Sequence, residues 1–452
     1  LSASSCRPGK ALAQLMNLLL QETWCAAWYV KHKKHLNVLL ANKDVRRLFV
    51  ADNISIIGDY FSYVALAGMV KEVTDSNFLV ALVYVAFTLP SFFTTPFGGP
   101  TVDKFDRKKI IVFISLAQAL CAVGFLFASN SRIWIAFAAQ IAITCLSSFI
   151  TPAFGAALPN LTRSDDELRQ ANALFGSSWG AMVFIGAAAG GFFSQAFGRT
   201  ATFTADIATF LVCAGLVALI KTPMQQQRTT EHQSRMRPFA DMKEAIHYAK
   251  SDHTILALLS SKTMFAFGAG TVSQLSVLAI DVFHKGDGGS GMLLAARGFG
   301  ASIGPFLVMR FVRNNMPRLL KVCGTAGIAY AVLYVATASS PNIWIACLCV
   351  MGAHLGGGAQ WTLSTYGLQV RVPDHILGRV LAGDMAIAIL VMGTSSFAAG
   401  ILGELLPIRI AIAVIGATSG VTAVLFLLAT MGIRKRLRSE MRQLSDSTRA
   451  YL

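Results

Sequence analysis

The feature that most limits how this chain can fold is a series of twelve apolar runs, each about 20 residues long. A run of that length crosses the hydrocarbon core of a bilayer as a helix, in which the backbone groups are paired within the segment. Charged residues make up only 14% of the 452 residues, whereas soluble domains carry about 25%. The sequence therefore predicts an all-α integral membrane protein with twelve transmembrane helices.

The apolar runs predict spans at Leu48–Val70, Phe78–Gly98, Ile110–Ala128, Ile133–Ile150, Leu174–Phe197, Ala201–Ile220, Ile255–Ile280, Gly291–Val312, Leu319–Ala338, Ile343–Leu363, Val380–Leu402 and Ile410–Met431. One long connection separates the first six spans from the last six. We therefore expect an interfacial or cytoplasmic segment at 1–47, six-helix bundles at 48–220 and 254–432, a linker at 221–253 and a basic tail at 433–452.

Two segments outside the spans have helical character of their own. Within the linker, Phe239, Met242 and Ile246 recur at helical spacing and predict an amphipathic helix on the membrane surface. The N-terminal stretch Ala11–Val30 is apolar but interrupted by polar residues, and a basic run follows it. It is typical either of an interfacial helix or of the remnant of a targeting segment.

The formal net charge of +16 is distributed unevenly along the chain. Most of the 39 Lys and Arg residues lie in connections that an even number of spans places on one side, whereas the other side carries Lys71, Arg132, Arg199, Lys285 and Arg409. Because Lys and Arg accumulate in cytoplasmic loops, we expect a multi-pass protein with both termini in the cytoplasm. We expect the cell membrane, with an organelle membrane as the alternative, and no nucleic-acid partner.

The motifs of several enzyme classes are missing from the sequence. It has no Walker phosphate loop and no His-Glu-x-x-His, and its eight cysteines form no metal or redox spacing. We therefore expect no enzyme, no metal site and no cofactor.

A short charged loop, Gly98–Lys109, joins the second and third predicted spans. Gly99 allows a close backbone approach, Asp103 suits the positive N-terminus of a neighbouring helix, and the basic residues fix this end in the cytoplasm. The loop reads Gly99-x-x-x-Asp103-Lys104-x-Asp106-Arg107-Lys108. This spacing resembles the loop between helices 2 and 3 of the major facilitator superfamily, in particular of its drug and siderophore exporters. The alternative is an ordinary positive-inside anchor.

Other motifs extend the resemblance from about Asn42 to Met431. They are Gly58-Asp59, Gly298-x-Gly300 and Leu368-Gln369-x-x-Val372-Pro373-Asp374-x-x-x-Gly378-Arg379-Val380. The two halves also echo each other, with Pro159-Asn160 after the fourth span and Pro373-Asp374 after the tenth. The sequence departs from the exporters at Gly186-Ala187, where they often have Gly-Pro.

The resemblance implies two six-helix bundles that open alternately to the two sides of the membrane. It also implies a cytoplasmic latch, in which Asp103 meets the N-terminus of span 11 near Arg379 while Arg107 pairs with an acid. A contact of this kind is worth about 0.3–2 kcal/mol, enough to bias a two-state equilibrium.

Ionisable side chains within the spans are candidates for function because their insertion costs roughly 2.5–3.5 kcal/mol. Asp59 lies midway along span 1, on a polar stripe that Asp52, Ser55 and Ser62 complete at helical spacing. The resemblance places span 1 beside the central cavity, so Asp59 is a candidate for proton coupling. The alternative is a carboxylate bonded between packed helices.

Lys262 in span 7 is a candidate counter-charge for Asp59 or for an anionic substrate, or it extends to the membrane surface. His354, just before three consecutive glycines in span 10, suits proton or substrate handling or is a satisfied core histidine. Three amides are candidate hydrogen-bond donors to substrate, namely Gln140, Gln274 and Gln360. For Asp206, Arg297 and Asp384, nearer the ends of their spans, structural pairing is expected.

Together these features predict a monomeric secondary transporter that works by alternating access in a lipid bilayer. The expected task is proton-coupled efflux of a small, partly apolar molecule. The alternatives are a facilitator or importer of a lipid-like or organic-anion substrate, and a non-transporting receptor or scaffold on the same fold.

Overall fold

The computed structural model describes residues 41–129, 131–225, 244, 247–312 and 315–450, and these residues form helices and connections without a strand. Twelve helices are long and apolar enough to cross a membrane. We number them as spans 1 to 12: Lys43–Thr74, Asn77–Lys104, Arg107–Phe127, Ile133–Leu161, Asp165–Phe197, Arg199–Ala218, His253–Val282, Gly286–Met309, Met316–Ser339, Ile343–Arg371, Ile376–Leu405 and Ile408–Ala429. A thirteenth helix, Met431–Ala450, follows span 12.

Several helices begin earlier or end later than the apolar runs predict, because polar residues cap them. Asn42 accepts hydrogen bonds from the amides of Asp44 and Val45, so span 1 starts at Lys43 instead of Leu48. Ser164 caps span 5 by accepting from the Glu167 amide at 3.2 Å. The polar turns 165–173 therefore continue span 5 beyond the membrane core.

The two predicted Pro turns are not equivalent in the structure. Pro159 lies inside span 4, two residues before its last residue Leu161, whereas Pro373 precedes the helix that begins at Asp374. Pro373 stands just before its helix, where a backbone donor has no helical acceptor, whereas Pro159 near the end of span 4 leaves one carbonyl of that helix without a helical donor. The sequence echo at these prolines therefore does not mark equivalent turns.

The packing of the spans repeats with an offset of six. Span 1 packs on 6, span 3 on 6 and 4, and span 2 on 4; in the same way span 7 packs on 12, span 9 on 12 and 10, and span 8 on 10. The chain thus forms two six-helix bundles of equivalent architecture. Across the boundary between them, span 5 packs on span 8 and span 2 on span 11.

Glycines bring spans 5 and 8 unusually close together. A Cβ atom on Gly298 would lie 2.5 Å from the Phe184 amide nitrogen, and one on Gly180 would lie 2.9 Å from that of Ser302. Nearer the other end of the same contact, a Cβ on Gly191 would lie 2.8 Å from the Gly291 Cα. Any larger residue there would separate the helices, so these positions fix where span 8 runs between the bundles.

We call the end of the molecule that carries Lys104 and the 221–252 connection the linker face, and the end that carries Asp75 and His284 the opposite face. At the opposite face, polar contacts join the two bundles. Lys71 pairs with Asp281 at 2.8 Å, Arg199 with Asp287 at 2.9 Å, Asn77 donates to the Gly403 carbonyl at 2.8 Å and Ser76 bonds Glu404. The bundles are therefore closed against each other at this face.

Span 7 is the most irregular helix of the described chain. It consists of the α-helical segments His253–Ala266, Ala269–Ser273 and Leu275–Val277 and a π-helical end, Leu278–Val282. Side chains replace the lost helix bonds, since Tyr330 donates to the Gly268 carbonyl at 3.0 Å and Ser395 to the Phe267 carbonyl at 2.6 Å. Broken helices of this kind recur at the substrate sites of transporters.

At the linker face, the residue that caps span 7 also forms an ion pair. Asp252 accepts from the Thr254 amide at 2.7 Å and pairs with Arg371 at 2.7 Å. Burial alone would raise the pKa of Asp252, but these two bonds outweigh it and lower the pKa below its ordinary value. The carboxylate therefore stays charged at neutral pH and holds the end of span 10 to the start of span 7.

Two predicted helices lie outside the described residues. These are the interfacial helix at Ala11–Val30 and the amphipathic linker helix marked by Phe239, Met242 and Ile246. Of the linker, the structure describes 221–225, Glu244 and 247–252.

Candidate functional site

Arg297 lies near the centre of the molecule, contrary to the sequence-based placement near a span end. Span 8 begins at Gly286 instead of Gly291, so Arg297 is eleven residues, about 16 Å, into the helix. Arg297 is only 8% exposed to solvent. Its guanidinium lies 5.7 Å from the ring centre of Trp179 in span 5. The structural pairing expected for Arg297 is not an ion pair, since no described residue forms one with it.

Tyrosines from both bundles lie near this guanidinium. Tyr60 and Tyr63 of span 1, Tyr84 of span 2 and Tyr334 of span 9 all lie within electrostatic reach of it. All four are buried, and their hydroxyl oxygens are hydrogen-bond acceptors. We call Arg297 and these four tyrosines the arginine–tyrosine cluster.

Aromatic packing fixes the cluster on the side of the first bundle. The ring centres of Tyr63 and Tyr84 are 6.1 Å apart, and those of Tyr60 and Tyr63 are 6.4 Å apart, in edge-to-face arrangements. Phe87 packs against both span 1 tyrosines at 5.7 and 5.2 Å. Packing within the first bundle therefore orients these tyrosine rings.

His354 completes the cluster on the side of the second bundle. It is buried, and its Nε2 is hydrogen-bonded to the Tyr334 hydroxyl at 2.9 Å. Phe265 and Tyr330 pack edge-on against its ring at 6.1 and 5.4 Å. This agrees with the interpretation of a satisfied core histidine, one hydrogen bond away from the tyrosine that faces Arg297.

Lys262 pairs with Asp384 of span 11 and not with Asp59. The side chains of the ion pair are 2% and 1% exposed, so both charges are enclosed in the second bundle. Thr365 accepts a further hydrogen bond from the ammonium at 2.8 Å, and the Trp361 ring centre lies 4.8 Å away. The structural pairing expected for Asp384 is confirmed, with Lys262 as its partner.

Asp59 lies in the first bundle, midway along span 1, and is half-buried. Among the described residues no donor or cation bonds to it. Two carboxylates, Asp206 and Asp52, lie within electrostatic reach. Asp206 itself is fully buried and accepts hydrogen bonds from Ser62 and, at 3.3 Å, from Thr209. Ser62 of the predicted polar stripe thus faces span 6, and Asp59 lies on the flank of that contact.

The three candidate amides bond to neighbouring helix atoms in this structure. Gln140 donates to Thr144 at 3.2 Å, Gln274 to the Ala399 carbonyl at 2.9 Å and Gln360 to the Ser261 carbonyl at 2.5 Å. The last two tie span 7 to spans 11 and 10. Their donor role toward a substrate stays a prediction, because it needs these bonds to break.

The charged loop between spans 2 and 3 is anchored to its own bundle and to the start of the linker. Arg107 donates to the carbonyls of Ala156 and Met224 at 2.6 and 3.1 Å, and the Asp103 carbonyl accepts from Gln225 at 3.4 Å. The close approach predicted at Gly99 occurs at its neighbour Gly98, where a Cβ would lie 3.3 Å from the Ser148 carbonyl carbon. A Cβ on Gly99 would meet nothing described within 4 Å.

Arg379, the predicted far side of the latch, pairs with Glu244 of the linker at 2.5 Å. Both side chains are exposed, so this pair contributes little to stability. The pair connects the linker to the start of span 11. The resemblance implies that the charged loop contacts this same helix end.

Two six-helix bundles with equivalent packing, a buried charged cluster between them and one closed face define a secondary transporter of the major facilitator superfamily. The model of one family within it, described as "Transmembrane secretion effector", matches residues 38–449. The chain belongs to this family.

Relatives with assigned roles include bacterial exporters. Over 339 residues the chain is 24% identical to the putative bacilysin exporter BacE of Bacillus subtilis (strain 168). The aligned region covers 74% of this chain and 82% of BacE. Over 365 residues it is 25% identical to the enterobactin exporter EntS of Salmonella choleraesuis (strain SC-B67), covering 76% of this chain and 82% of EntS.

Solved structures agree on the fold. A bacterial homologue of the human lysosomal transporter Spinster, in an inward-facing conformation, superposes with a TM-score of 0.64 and 14% identity over 90% of this chain and 98% of its own. A peptide transporter POT superposes with a TM-score of 0.68 and 12% identity, over 88% and 96%. The expected twelve-helix major facilitator fold is confirmed.

The arginine–tyrosine cluster is the main feature that sequence reasoning missed. Arg297 directly precedes Gly298 and Gly300, glycines that the resemblance had already singled out. The tyrosines carry no spacing that predicts a common site, because they come from spans 1, 2 and 9. A charged residue next to Gly298, a glycine at the close contact between spans 5 and 8, is the signal that the sequence offered.

Proposed function

We propose that this protein exports a small, partly apolar metabolite in exchange for protons. The observation that carries the proposal is the site between the bundles, built of aromatic rings around one buried cation and closed at the opposite face. Secondary transporters of this architecture hold their cargo near the bilayer midplane, at the interface between the repeats. The exporter names of BacE and EntS support the outward direction.

Asp59 supports the proton-coupling part of the proposal. Its carboxyl group lies at mid-span with no described cation to neutralise it, and the carboxyl groups of Asp206 and Asp52 are near. A proton is then the simplest neutralising charge for Asp59 in a medium of low dielectric constant. Rearrangement of the bundles would change its surroundings and allow proton uptake on one side and release on the other.

The latch remains part of the proposed mechanism. Asp103 would meet the start of span 11 when the bundles close at the linker face, with Gly99 and Arg107 shaping the loop and Arg379 opposite it. In that state the Arg379–Glu244 pair would be exchanged for a contact with the loop. Closure of one face and opening of the other are the two states that such a contact biases.

Transport in proteoliposomes tests the proposed function. Bacilysin and enterobactin are the first cargoes to try, because relatives are named as their exporters. With an imposed pH gradient we expect accumulation of cargo above its equilibrium level, abolished by a protonophore. Equal uptake with and without the gradient would favour a facilitator instead. If neither cargo moves, thermal stabilisation of the purified protein across a metabolite panel identifies the cargo for the same assay.

We also propose that the linker face is cytoplasmic and that both termini lie there, in a cell membrane. In a background without cysteine, Lys285→Cys and Ser131→Cys at the opposite face should react with an impermeant maleimide added to intact cells. Lys221→Cys and Ser251→Cys at the linker face should react only after permeabilisation. All four residues are exposed, so access to the reagent is matched. The reverse labelling pattern would invert the orientation.

A further inference from the structure

We propose that Arg297 and the tyrosines around it bind an anionic group of the cargo, so that the exported molecule is an organic anion with an apolar or aromatic body. This inference rests on the proposed transport function and narrows its substrate class. It concerns a residue that the sequence assigned to structural pairing. Three properties of the cluster carry it.

The first property is a buried charge without a described counter-ion. Arg297 is 92% buried, and an arginine side chain stays protonated under all ordinary conditions. A guanidinium enclosed in a medium of low dielectric constant without a paired anion is costly, because its hydration is lost and nothing of opposite charge replaces it. The other enclosed cation near the middle of the molecule, Lys262, has its carboxylate in Asp384. Arg297 therefore differs from Lys262 in lacking the partner that a purely structural cation needs.

The second property is the chemistry of the neighbours. Tyrosine hydroxyls accept hydrogen bonds from the guanidinium, and they also donate to an oxyanion. The Trp179 ring, 5.7 Å from the guanidinium, favours a cation on its face. These groups hold Arg297 in position without neutralising it. A planar guanidinium held in this way is suited to a carboxylate or a similar oxyanion, which it binds through two parallel hydrogen bonds.

The third property is the location between the bundles. Tyr60, Tyr63, Tyr84 and Trp179 belong to the first bundle, whereas Arg297, Tyr334 and His354 belong to the second. When the bundles move against each other, the tyrosines of the first bundle and the guanidinium of the second must change their separation. An anion bound by both sides would therefore be held most tightly in one arrangement, which couples its binding to the transport cycle.

The glycine contacts make span 8 a rigid support for this site. Spans 5 and 8 approach through Gly180 and Gly298, and on the other side of span 8 a Cβ on Gly358 would lie 2.7 Å from the Ala301 Cα. The contact with span 10 lies within the second bundle, so close packing there sets the position of the helix that presents Arg297. The guanidinium is fixed before the anion arrives.

Binding of a matched pair of probes tests the inference without any transport measurement. Naphthoate and naphthamide have the same shape, but only the first carries a negative charge. We expect naphthoate to raise the melting temperature of the purified protein and to quench its tryptophan fluorescence, with a much smaller effect of naphthamide. The quenching should disappear in Trp179→Phe. Equal effects of the two probes, including no effect of either, would overturn the inference.

Variants then locate the binding. Arg297→Gln should weaken naphthoate binding about ten- to a hundredfold, the effect of losing charge-assisted hydrogen bonds. Arg297→Lys should give an intermediate loss, because it keeps the charge without the fork. The exposed Arg132→Gln is the matched control and should bind as the parent does. If Arg297→Gln does not fold, Tyr84→Phe, which removes one hydroxyl, should still weaken binding several-fold.

The outcomes separate this inference from the proposed function. Parent-like naphthoate binding by Arg297→Gln and Tyr84→Phe would place the anion elsewhere, and the transport proposal would stand. If the parent protein binds naphthoate but shows no gradient-driven transport, the anion site stands and the proposed coupling to protons is contradicted. Binding of naphthoate only at the exposed surface would appear as quenching retained in Trp179→Phe.

Discussion

Asp59→Asn is expected to abolish transport driven by a pH gradient while leaving cargo binding intact. Asparagine has the size of a protonated aspartate but never releases a proton. If Asp59 carries the coupled proton, the variant is fixed in one of the two protonation states and the gradient can no longer do work on the cargo. We expect a loss of accumulation in proteoliposomes of at least about tenfold, with exchange of cargo down its own gradient retained.

Asp166→Asn is the matched control for this experiment. The side chain of Asp166 is exposed in the first turn of span 5, and among the described residues its partner is the exposed Arg169. The same chemical change there should leave accumulation unchanged. Full gradient-driven accumulation by Asp59→Asn would mean that this carboxylate is structural and that any coupling lies in another residue. A binding assay on the same preparation excludes the trivial explanation of misfolding.

Breaking the Lys262–Asp384 pair is expected to destabilise the second bundle strongly. Asp384→Asn leaves an enclosed ammonium without a counter-charge, with Thr365, the Trp361 ring and the new amide oxygen as neutral partners. Removing one member of a buried ion pair typically costs about 3–5 kcal/mol, because the remaining charge is uncompensated. The melting temperature of the purified protein should therefore fall by several degrees.

The double variant distinguishes the pair from the separate side chains. Lys262→Gln together with Asp384→Asn removes both charges and should recover most of the melting temperature that Asp384→Asn loses. In the double variant neither side chain is charged, so no enclosed charge is left uncompensated. Its stability and its transport activity can then be measured separately, which shows for which of the two the ions are needed. If Asp384→Asn is as stable as the parent protein, the ion pair does not hold spans 7 and 11 together. A stable double variant that no longer transports would assign the pair a functional role.

The closed opposite face and the arginine–tyrosine cluster together indicate the side from which cargo reaches the site in this conformation. Ion pairs such as Lys71–Asp281 and Arg199–Asp287 join the bundles at one face, while the cluster lies deeper, between the same bundles. Because the opposite face is closed, we expect cargo to reach Arg297 in this state from the linker face. With the proposed orientation that side is the cytoplasm, as an exporter requires.

The sequence by itself determined the number of spans, their order and the division into two halves. Twelve apolar runs and few charges leave no other way to satisfy the backbone in lipid, so this part of the fold depends on local composition alone. Family membership was equally available, since the Gly99–Lys108 spacing lies within a dozen residues of the chain. Helix ends were harder to predict because polar caps such as Asn42 and Ser164 extend helices past the apolar runs.

Only the tertiary structure decided which in-span charges meet. Lys262 finds Asp384, 122 residues away, and Arg297 finds tyrosines of spans 1, 2 and 9. Those partners depend on the rotation of each helix about its axis and on glycine contacts such as Gly180 with Ser302. A five-residue shift in the start of span 8 moved Arg297 from a span end to the middle of the molecule. Sequence periodicity fixes which residues share a helix face, but the packing of twelve helices selects what that face contacts.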